Sequence, residues 1–133
     1  MAFFWQKKRN PTLLTEELQA VCSQHGSDFM EFHVRLSGRV TIDSSPGLRE
    51  FLLDRLDDPA CQTLGADFSG VSYVDTSGLA VLVESLRAAR MQGKAFRLYE
   101  LQGRPRFLLE KTHLLRLFDE SNPVPTPKSE GRL

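Results

Sequence analysis

The chain has 133 residues, which suffice for one domain with a buried core, and its 41% hydrophobic and 26% charged content is typical of soluble globular proteins. Seventeen basic residues balance seventeen acidic ones, so the chain has no net positive charge that would attract nucleic acid. No apolar run approaches the ~20 residues that are needed to span a membrane. Two cysteines, Cys22 and Cys61, form no disulfide framework and indicate a reducing cytoplasm.

Residues 1–28 are predicted to be an amino-terminal arm and extra segment outside the main domain. Residues 1–11 carry an aromatic tip and then a basic run, and we interpret them as a flexible arm. The alternative is a weak peripheral membrane or partner anchor built from Phe3, Phe4, Trp5 and Lys7–Arg9. Residues 12–25 fit helical and strand spacing equally, so both remain open.

A half-buried strand is predicted where Met30, Phe32, Val34 and Leu36 alternate with polar residues. Ser37-Gly38 bends this strand, and Val40 and Ile42 continue its apolar side. A helix follows, with Ser45 as the predicted N-cap and Pro46 in its first turn. Its apolar face contains Leu48, Phe51, Leu52 and Leu56.

The second half of the chain repeats this order of strand and helix. A strand is predicted over residues 64–74, a helix from Ser77 to a C-cap at Gly93, and a strand over residues 95–101. A short helix containing Phe107, Leu108 and residues 114–115 and a last short strand at 116–118 complete residues 29–120. Residues 121–133 are a Pro-rich tail, predicted to be disordered. The alternation predicts one α/β domain with parallel crossovers.

The sequence lacks the usual catalytic and cofactor-binding motifs. Gln92-Gly-Lys94 has no upstream glycine and no following Ser or Thr, so it is not a phosphate-binding loop. The three histidines are far apart, which argues against a metal site. Ser77 lacks the Gly-x-Ser-x-Gly elbow of nucleophilic hydrolases. The sequence therefore predicts no metal site and no cofactor, and it argues against nucleophilic catalysis.

The turn Asp75-Thr-Ser-Gly78 carries the strongest functional signal. Any of Asp75, Thr76 or Ser77 can cap the following helix, and three candidates exceed what capping requires. The free amides and partial positive charge of a helix amino terminus also favour an anion, so a phosphoryl group on Ser77 would cost the fold little. The residues alone leave cap and switch open.

The helix that follows has a second apolar surface. If Leu79, Leu82, Val83 and Leu86 form its buried stripe, a low-charge strip remains on the opposite side, composed of Val81, Glu84, Ala88 and Met91. A solvated helix face normally carries more charge. This low-charge strip is either a docking surface that begins near Ser77 or a set of scattered surface residues.

Residues 29–120 resemble the STAS domain (sulphate transporter and anti-sigma-factor antagonist). The matching segments are, in order, Leu36–Val40, Leu48–Glu50, Asp67–Leu79, Gly93–Phe96 and Leu114–Phe118. The resemblance implies a mixed, mostly parallel sheet flanked by helices and no enzymatic activity. It also implies that Ser77 is phosphorylated by a partner kinase that is itself an anti-sigma factor, and that phosphorylation breaks the complex. Thr41 stands where the switch members of the family often carry an acid.

The first hypothesis is thus a cytoplasmic anti-sigma-factor antagonist that binds a protein partner and no nucleic acid. Ser77 would be the phospho-acceptor, and the expected partner contacts are Asp75, Thr76, Gly78, Val81, Glu84 and Met91. The second hypothesis is a STAS subunit of a lipid-transport ABC system bound to its ATPase, which the basic-aromatic arm favours. The third is a scaffold piece of a stressosome-like assembly.

Overall fold

The computed structural model of the chain describes residues 12–25 and 30–118, which contain five strands, three α-helices and one 3-10 helix. The strands are β1 (Thr12–Thr15), β2 (Leu18–His25), β3 (Glu31–Val40), β4 (Thr63–Val74) and β5 (Ala95–Tyr99). The helices are α1 (Ser45–Leu56), α2 (Thr76–Met91) and α3 (Gly103–Lys111), followed by the 3-10 helix Leu115–Leu117. The predictions for residues 1–11 and for the tail 121–133 lie outside the described residues.

The five strands form one mixed sheet in the order β1-β2-β3-β4-β5. The pairs β1–β2 and β2–β3 are antiparallel, whereas β3–β4 and β4–β5 are parallel. Helix α1 connects β3 to β4 and helix α2 connects β4 to β5, as parallel neighbours require. The predicted α/β fold with a mixed, mostly parallel sheet is therefore confirmed: β3, β4 and β5 run parallel to one another, and β2 runs against them.

Residues 12–25, which the sequence left open between helix and strand, form a hairpin. Strand β2 pairs with β3 along its whole length, from Leu18 opposite Gly38 to His25 opposite Glu31. Leu18 and Ala20 are fully buried. Gly38 has a φ of +122°, and a Cβ there would lie 1.9 Å from the carbonyl oxygen of Glu17, so only glycine fits against the β1–β2 turn. This part of the predicted extra segment thus belongs to the same sheet as the rest.

Helix α1 begins differently from the prediction. Ser45 is already helical, and Ser44 occupies the N-cap position without a side-chain cap hydrogen bond. The Ser44 hydroxyl instead donates to the carbonyl oxygen of Arg39 at 2.9 Å and accepts from the amide of Thr41 at 2.9 Å. The predicted N-cap was therefore wrong by one residue. Ile42, expected on the apolar side, is 71% exposed, so that prediction was also wrong.

The end of the described chain is helical rather than extended. The predicted strand at residues 116–118 is wrong, because Leu115–Leu117 form a 3-10 turn. Helix α3 ends at Lys111, so residues 114–115 lie outside it. The buried Phe118 packs edge-on against Phe96 of β5, with 6.1 Å between the ring centroids. A short apolar run can bury its side chains without joining a sheet, which periodicity alone does not reveal.

Candidate functional site at the amino terminus of helix α2

Asp75 joins strand β4 to helix α2 and caps the helix. Its backbone is extended, and its Oδ1 accepts hydrogen bonds from the amides of Ser77 and Gly78, both at 3.0 Å. Its Oδ2 accepts from the amide of Ile42 at 3.0 Å, and its own amide donates to the carbonyl oxygen of Val40. Asp75 therefore ties helix α2 to the loop that follows β3.

The Ser77 hydroxyl lies inside this cap. It donates to Asp75 Oδ1 at 2.5 Å, and its oxygen lies 3.3 Å from the hydroxyl oxygen of Ser45. The Ser77 side chain is only half-buried, whereas Ser45 is buried. The structure thus places a reachable hydroxyl beside a carboxylate, at a helix terminus whose partial positive charge favours anions.

The charge state of Asp75 reflects two opposing effects. Partial burial raises the pKa of this carboxyl group, but hydrogen bonds from the Ser77 hydroxyl and from the amides of Gly78, Ser77 and Ile42 outweigh it. The net pKa therefore lies below its ordinary value. Asp75 is ionised at neutral pH, so a phosphoryl group on Ser77 would face a like charge.

The loop after β3 connects this site to the β1–β2 turn. The Ser45 hydroxyl donates to the carbonyl oxygen of Thr41 at 2.6 Å, and the Thr41 hydroxyl donates to the Glu17 carboxylate. Glu17 also lies 3.7 Å from the guanidinium of Arg39. Residue 41 itself is not acidic, but a carboxylate from a distant part of the sequence contacts its side chain.

The low-charge strip predicted on helix α2 does not exist as one exposed surface. Val81 is only 6% exposed, so its prediction as a surface contact is wrong. Glu84 forms a bidentate ion pair with Arg49 of helix α1, with N–O distances of 2.7–2.9 Å. Met91 is 88% exposed at the opposite end of the helix from Ser77. The predicted strip is therefore divided: Val81 is buried, Glu84 is paired with helix α1, and Met91 is exposed at the far end.

Gly78 has a structural role that the sequence did not reveal. It is buried, and a Cβ at this position would lie 2.5 Å from Val40 Cγ1 and 3.0 Å from Val74 Cγ1. The missing side chain lets the first turn of α2 approach β3 and β4 closely. Gly78 therefore positions Ser77 and is not itself available for contact.

The accessible side of helix α2 is a neighbouring face that the sequence reading missed. Thr76, Ala80 and Arg87 are exposed there and Val83 is half-buried, at positions i, i+4, i+7 and i+11. Together with Leu114 they line an open groove of about 600 Å³, which we name the outer groove. The full lining is Thr76, Leu79, Ala80, Val83, Glu84, Arg87 and Leu114. The helical spacing of 76, 80, 83 and 87 was the available signal.

Other reactive groups do not converge on this site. Among residues 12–25 and 30–118, no three His, Cys, Asp or Glu side chains are grouped so that they could hold a metal ion. Burial raises the pKa of the Cys61 thiol to about 11, which makes this side chain unreactive. No helix within the described residues has the length and apolar character required to cross a membrane.

The fold agrees with the comparison to known families. The chain belongs to the STAS domain family, whose match covers residues 23–129. Over 101 residues it is 32% identical to the anti-sigma-B factor antagonist of Bacillus subtilis strain 168, which corresponds to 76% of this chain and 86% of the relative.

Solved structures share the same architecture. An anti-sigma factor antagonist from Mycobacterium paratuberculosis has a TM-score of 0.66 at 18% identity, over 90% of this chain and 94% of that chain. The Bacillus cell fate determinant SpoIIAA in its phosphorylated form has a TM-score of 0.57 at 15% identity, over 74% of this chain and 88% of that chain. These likenesses show that the chain has the same fold as these proteins.

Proposed function

We propose that this protein is a cytoplasmic anti-sigma-factor antagonist that acts by binding and is not an enzyme. Unmodified, it binds a partner that is both anti-sigma factor and serine kinase, and phosphorylation of Ser77 releases that partner. The 32% identity to an anti-sigma-B factor antagonist over most of both chains supports this assignment. A protein of the same fold whose structure is described in its phosphorylated form supports the proposed switch.

The observation that carries the proposal is the Ser77 hydroxyl, half-buried and 2.5 Å from Asp75 Oδ1 at the start of α2. A phosphoryl group would replace this donor with a charge of about −1.5 to −2 beside an ionised carboxylate. The helix terminus tolerates the added anion. A partner packed against the same surface would not, because it would have to desolvate the charge.

The outer groove is the proposed partner surface. It begins at Thr76, next to Ser77, and continues along the exposed Ala80 to Arg87. Within the described residues, Arg87 takes part in no ion pair, whereas Glu84 at the inner side of the groove is held by Arg49. A partner that fits would insert apolar side chains into the groove and present a carboxylate to Arg87.

The modification can be tested in extract of the native cells. The purified protein would be incubated with extract and Mg-ATP, and the mass of the intact protein measured. Wild type and Thr76→Val should each gain one phosphate, whereas Ser77→Ala should gain none. The neighbouring Thr76 hydroxyl is the matched control, and modification of Ser77→Ala but not of Thr76→Val would assign the acceptor to Thr76 instead.

The partner can be tested by capture on immobilised wild type and Ser77→Asp protein. A small histidine-kinase-like ATPase recovered by wild type alone is the expected result. Equal recovery of an ABC ATPase by both proteins would instead support a STAS subunit of a lipid-transport system, in which the serine helix docks without being switched.

A further inference from the structure

A second groove lies at the edge of the sheet, away from Ser77. It has a volume of about 620 Å³ and runs between β1 and helix α1, from Gly47 to Asp57. Its apolar lining includes Leu13, which is 62% exposed, together with Leu14, Phe51 and Leu53. We name it the edge groove. Among the described residues, strand β1 is the outer strand of the sheet, and none of them pairs with its outer edge.

The rim of the edge groove is acidic. Glu50, Asp54 and Asp57 line it, and Arg49 and Arg55 are the basic residues there. Arg49 is paired with Glu84 and Arg55 with Asp54, whereas Glu50 and Asp57 form no ion pair among the described residues. The groove thus combines apolar surface with two carboxylates that form no ion pair among the described residues, although Glu50 lies near Arg49 and Asp57 accepts a hydrogen bond from Gln92 at 3.2 Å.

Residues 1–11, immediately before β1, have the complementary chemistry. Phe3, Phe4 and Trp5 supply apolar side chains, and Lys7, Lys8 and Arg9 supply positive charge, with no acidic residue among the eleven. At about 3.3 Å per residue, this segment can extend roughly 36 Å. The stretch of helix α1 that lines the groove is about 15 Å long, at 1.5 Å per residue. Both length and charge therefore suit the groove.

The amino-terminal end of strand β1 points along the groove. Strand β1 runs parallel to β3, because each is antiparallel to β2. Helix α1 returns from the end of β3 to the start of β4, so it runs against both strands. Gly47, near the start of α1, lies against Leu14. Moving backwards from Leu14 through Thr12 therefore leads towards Asp57, along the acidic rim.

We propose that residues 1–11 dock in the edge groove of their own chain, with the aromatic residues on the apolar lining and the basic run against Glu50 and Asp57. The docked segment covers Leu13 and shields the free edge of β1. The aromatic-basic arm is then an internal cover for the sheet edge and not a membrane or partner anchor. This inference does not depend on the function proposed for Ser77.

Trp5 is the single tryptophan of the chain and therefore reports on the segment directly. In the full-length protein its fluorescence should be shifted to shorter wavelength, and be less quenched by acrylamide, than in a synthetic peptide of residues 1–11. Raising the salt concentration to about 1 M shortens the screening length to roughly 3 Å, so part of the shift should be lost. Emission and quenching equal to those of the peptide would overturn the proposal.

Two variants separate the apolar and charged contributions. Leu13→Ser removes exposed apolar surface and should increase quenching without unfolding the protein, because this side chain is 62% exposed. Glu50→Lys combined with Asp57→Lys should lower the docked-to-free ratio by roughly two- to fivefold per pair, the range for exposed ion pairs. Glu110→Lys, an exposed charge reversal outside the groove, is the matched control and should change nothing. Equal effects of all three variants would contradict the proposal.

Two other binding sites for residues 1–11, a membrane and a second copy of the protein, would give different fluorescence signals. A shift that appears only when anionic phospholipid vesicles are added would make the segment a membrane anchor and overturn the proposal. A shift that appears only at high protein concentration would indicate that the segment docks on a second copy, and would overturn docking within one chain. The fluorescence results do not bear on whether Ser77→Asp loses capture of the partner. The proposal for residues 1–11 and the proposal for Ser77 can therefore fail independently.

Discussion

The Ser77 hydroxyl donates to Asp75 Oδ1 at 2.5 Å, and the same oxygen accepts two helix amides at 3.0 Å. The cap is therefore complete without the hydroxyl. Asp75 holds the turn, and Ser77 adds a group that the turn does not require. This division between a structural carboxylate and a spare hydroxyl is what the function proposed for Ser77 needs.

Ser77→Ala is expected to lower the free energy of unfolding by about 1 kcal/mol or less, because both backbone bonds to Asp75 remain. Asp75→Ala should cost more, about 1–2 kcal/mol, since it removes the cap and the acceptor of the Ile42 amide. Asp75→Asn retains an acceptor oxygen and is the control. Urea denaturation measures all three, and a loss of several kcal/mol in Ser77→Ala would mean that the hydroxyl is structural.

The stability supplied by Asp75 should depend on pH. Partial burial raises its pKa, but the hydrogen bonds from Ser77, Gly78 and Ile42 outweigh this effect, so the folded pKa is below the ordinary value of about 3.9. The unfolded chain then takes up the proton first as the pH falls. The contribution of Asp75 is complete above about pH 5 and is lost as the pH drops through the folded pKa.

The stability difference between wild type and Asp75→Asn should accordingly be largest near neutral pH and shrink below about pH 4. Urea denaturation of both proteins across this range measures it, and subtraction removes the contribution of the other carboxylates. A difference that grew on acidification would mean that burial, and not hydrogen bonding, controls this group.

Local sequence patterns predicted the strands and helices whose hydrophobic periodicity is clear within the segment itself. Alternation located β3, β4 and β5, and the 3.6-residue period located α1 and α2 within a residue or two. Residues 12–25 stayed ambiguous because their structure depends on pairing between β2 and β3, from Leu18–Gly38 to His25–Glu31. Such a pairing joins distant parts of the sequence and overrides weak local spacing.

The candidate site shows the same difference between local features, which the sequence predicted, and long-range contacts, which it did not. Asp75, Thr76 and Ser77 were predicted as candidate caps because capping is a local interaction, and the structure shows that Asp75 is the cap. The surface of α2 was misjudged because this helix has two neighbours, the sheet and helix α1, and a single apolar stripe accounts for only one. Val81 is buried, and Glu84 is held by Arg49 of helix α1 from 35 positions away. Nothing within α2 itself encodes that partner.

The Arg49–Glu84 pair should contribute little to stability despite its geometry. Its side chains are 49% and 43% exposed, so solvent screens the attraction, and a double-mutant cycle with Arg49→Ala and Glu84→Ala should give a coupling of about 0.2–1 kcal/mol. The hydrogen bond from Arg49 lowers the pKa of Glu84, so this coupling should fade as the pH falls below about 4. A coupling well above 1 kcal/mol would show that the pair is a main support of the α1–α2 contact.

If the outer groove binds the partner, substitutions of α2 residues inside and outside the groove should affect capture of the partner differently. Arg87→Glu reverses an exposed charge in the groove and should abolish capture of the partner with a change in stability within about 0.5 kcal/mol. Met91→Glu, also at an exposed position but outside the groove, is the control and should capture as wild type does. Loss of capture with Met91→Glu alone would move the interface to the other end of the helix.

Gly78→Ala should have two effects of opposite sign on the free energy of unfolding. Alanine is favoured over glycine in a helix by about 1 kcal/mol, whereas overpacking a tight core costs about 1–3 kcal/mol. The new Cβ would lie 2.5 Å from Val40 Cγ1 and 3.0 Å from Val74 Cγ1, and valine side chains have little rotamer freedom with which to yield. We therefore expect a net loss of roughly 1–2 kcal/mol in urea denaturation. The loss should be smaller in a Val40→Ala background, where space has been made, since contacting residues couple. Stabilisation by Gly78→Ala in wild type would mean that helix α2 can move away from the sheet, and that Gly78 does not fix the position of Ser77.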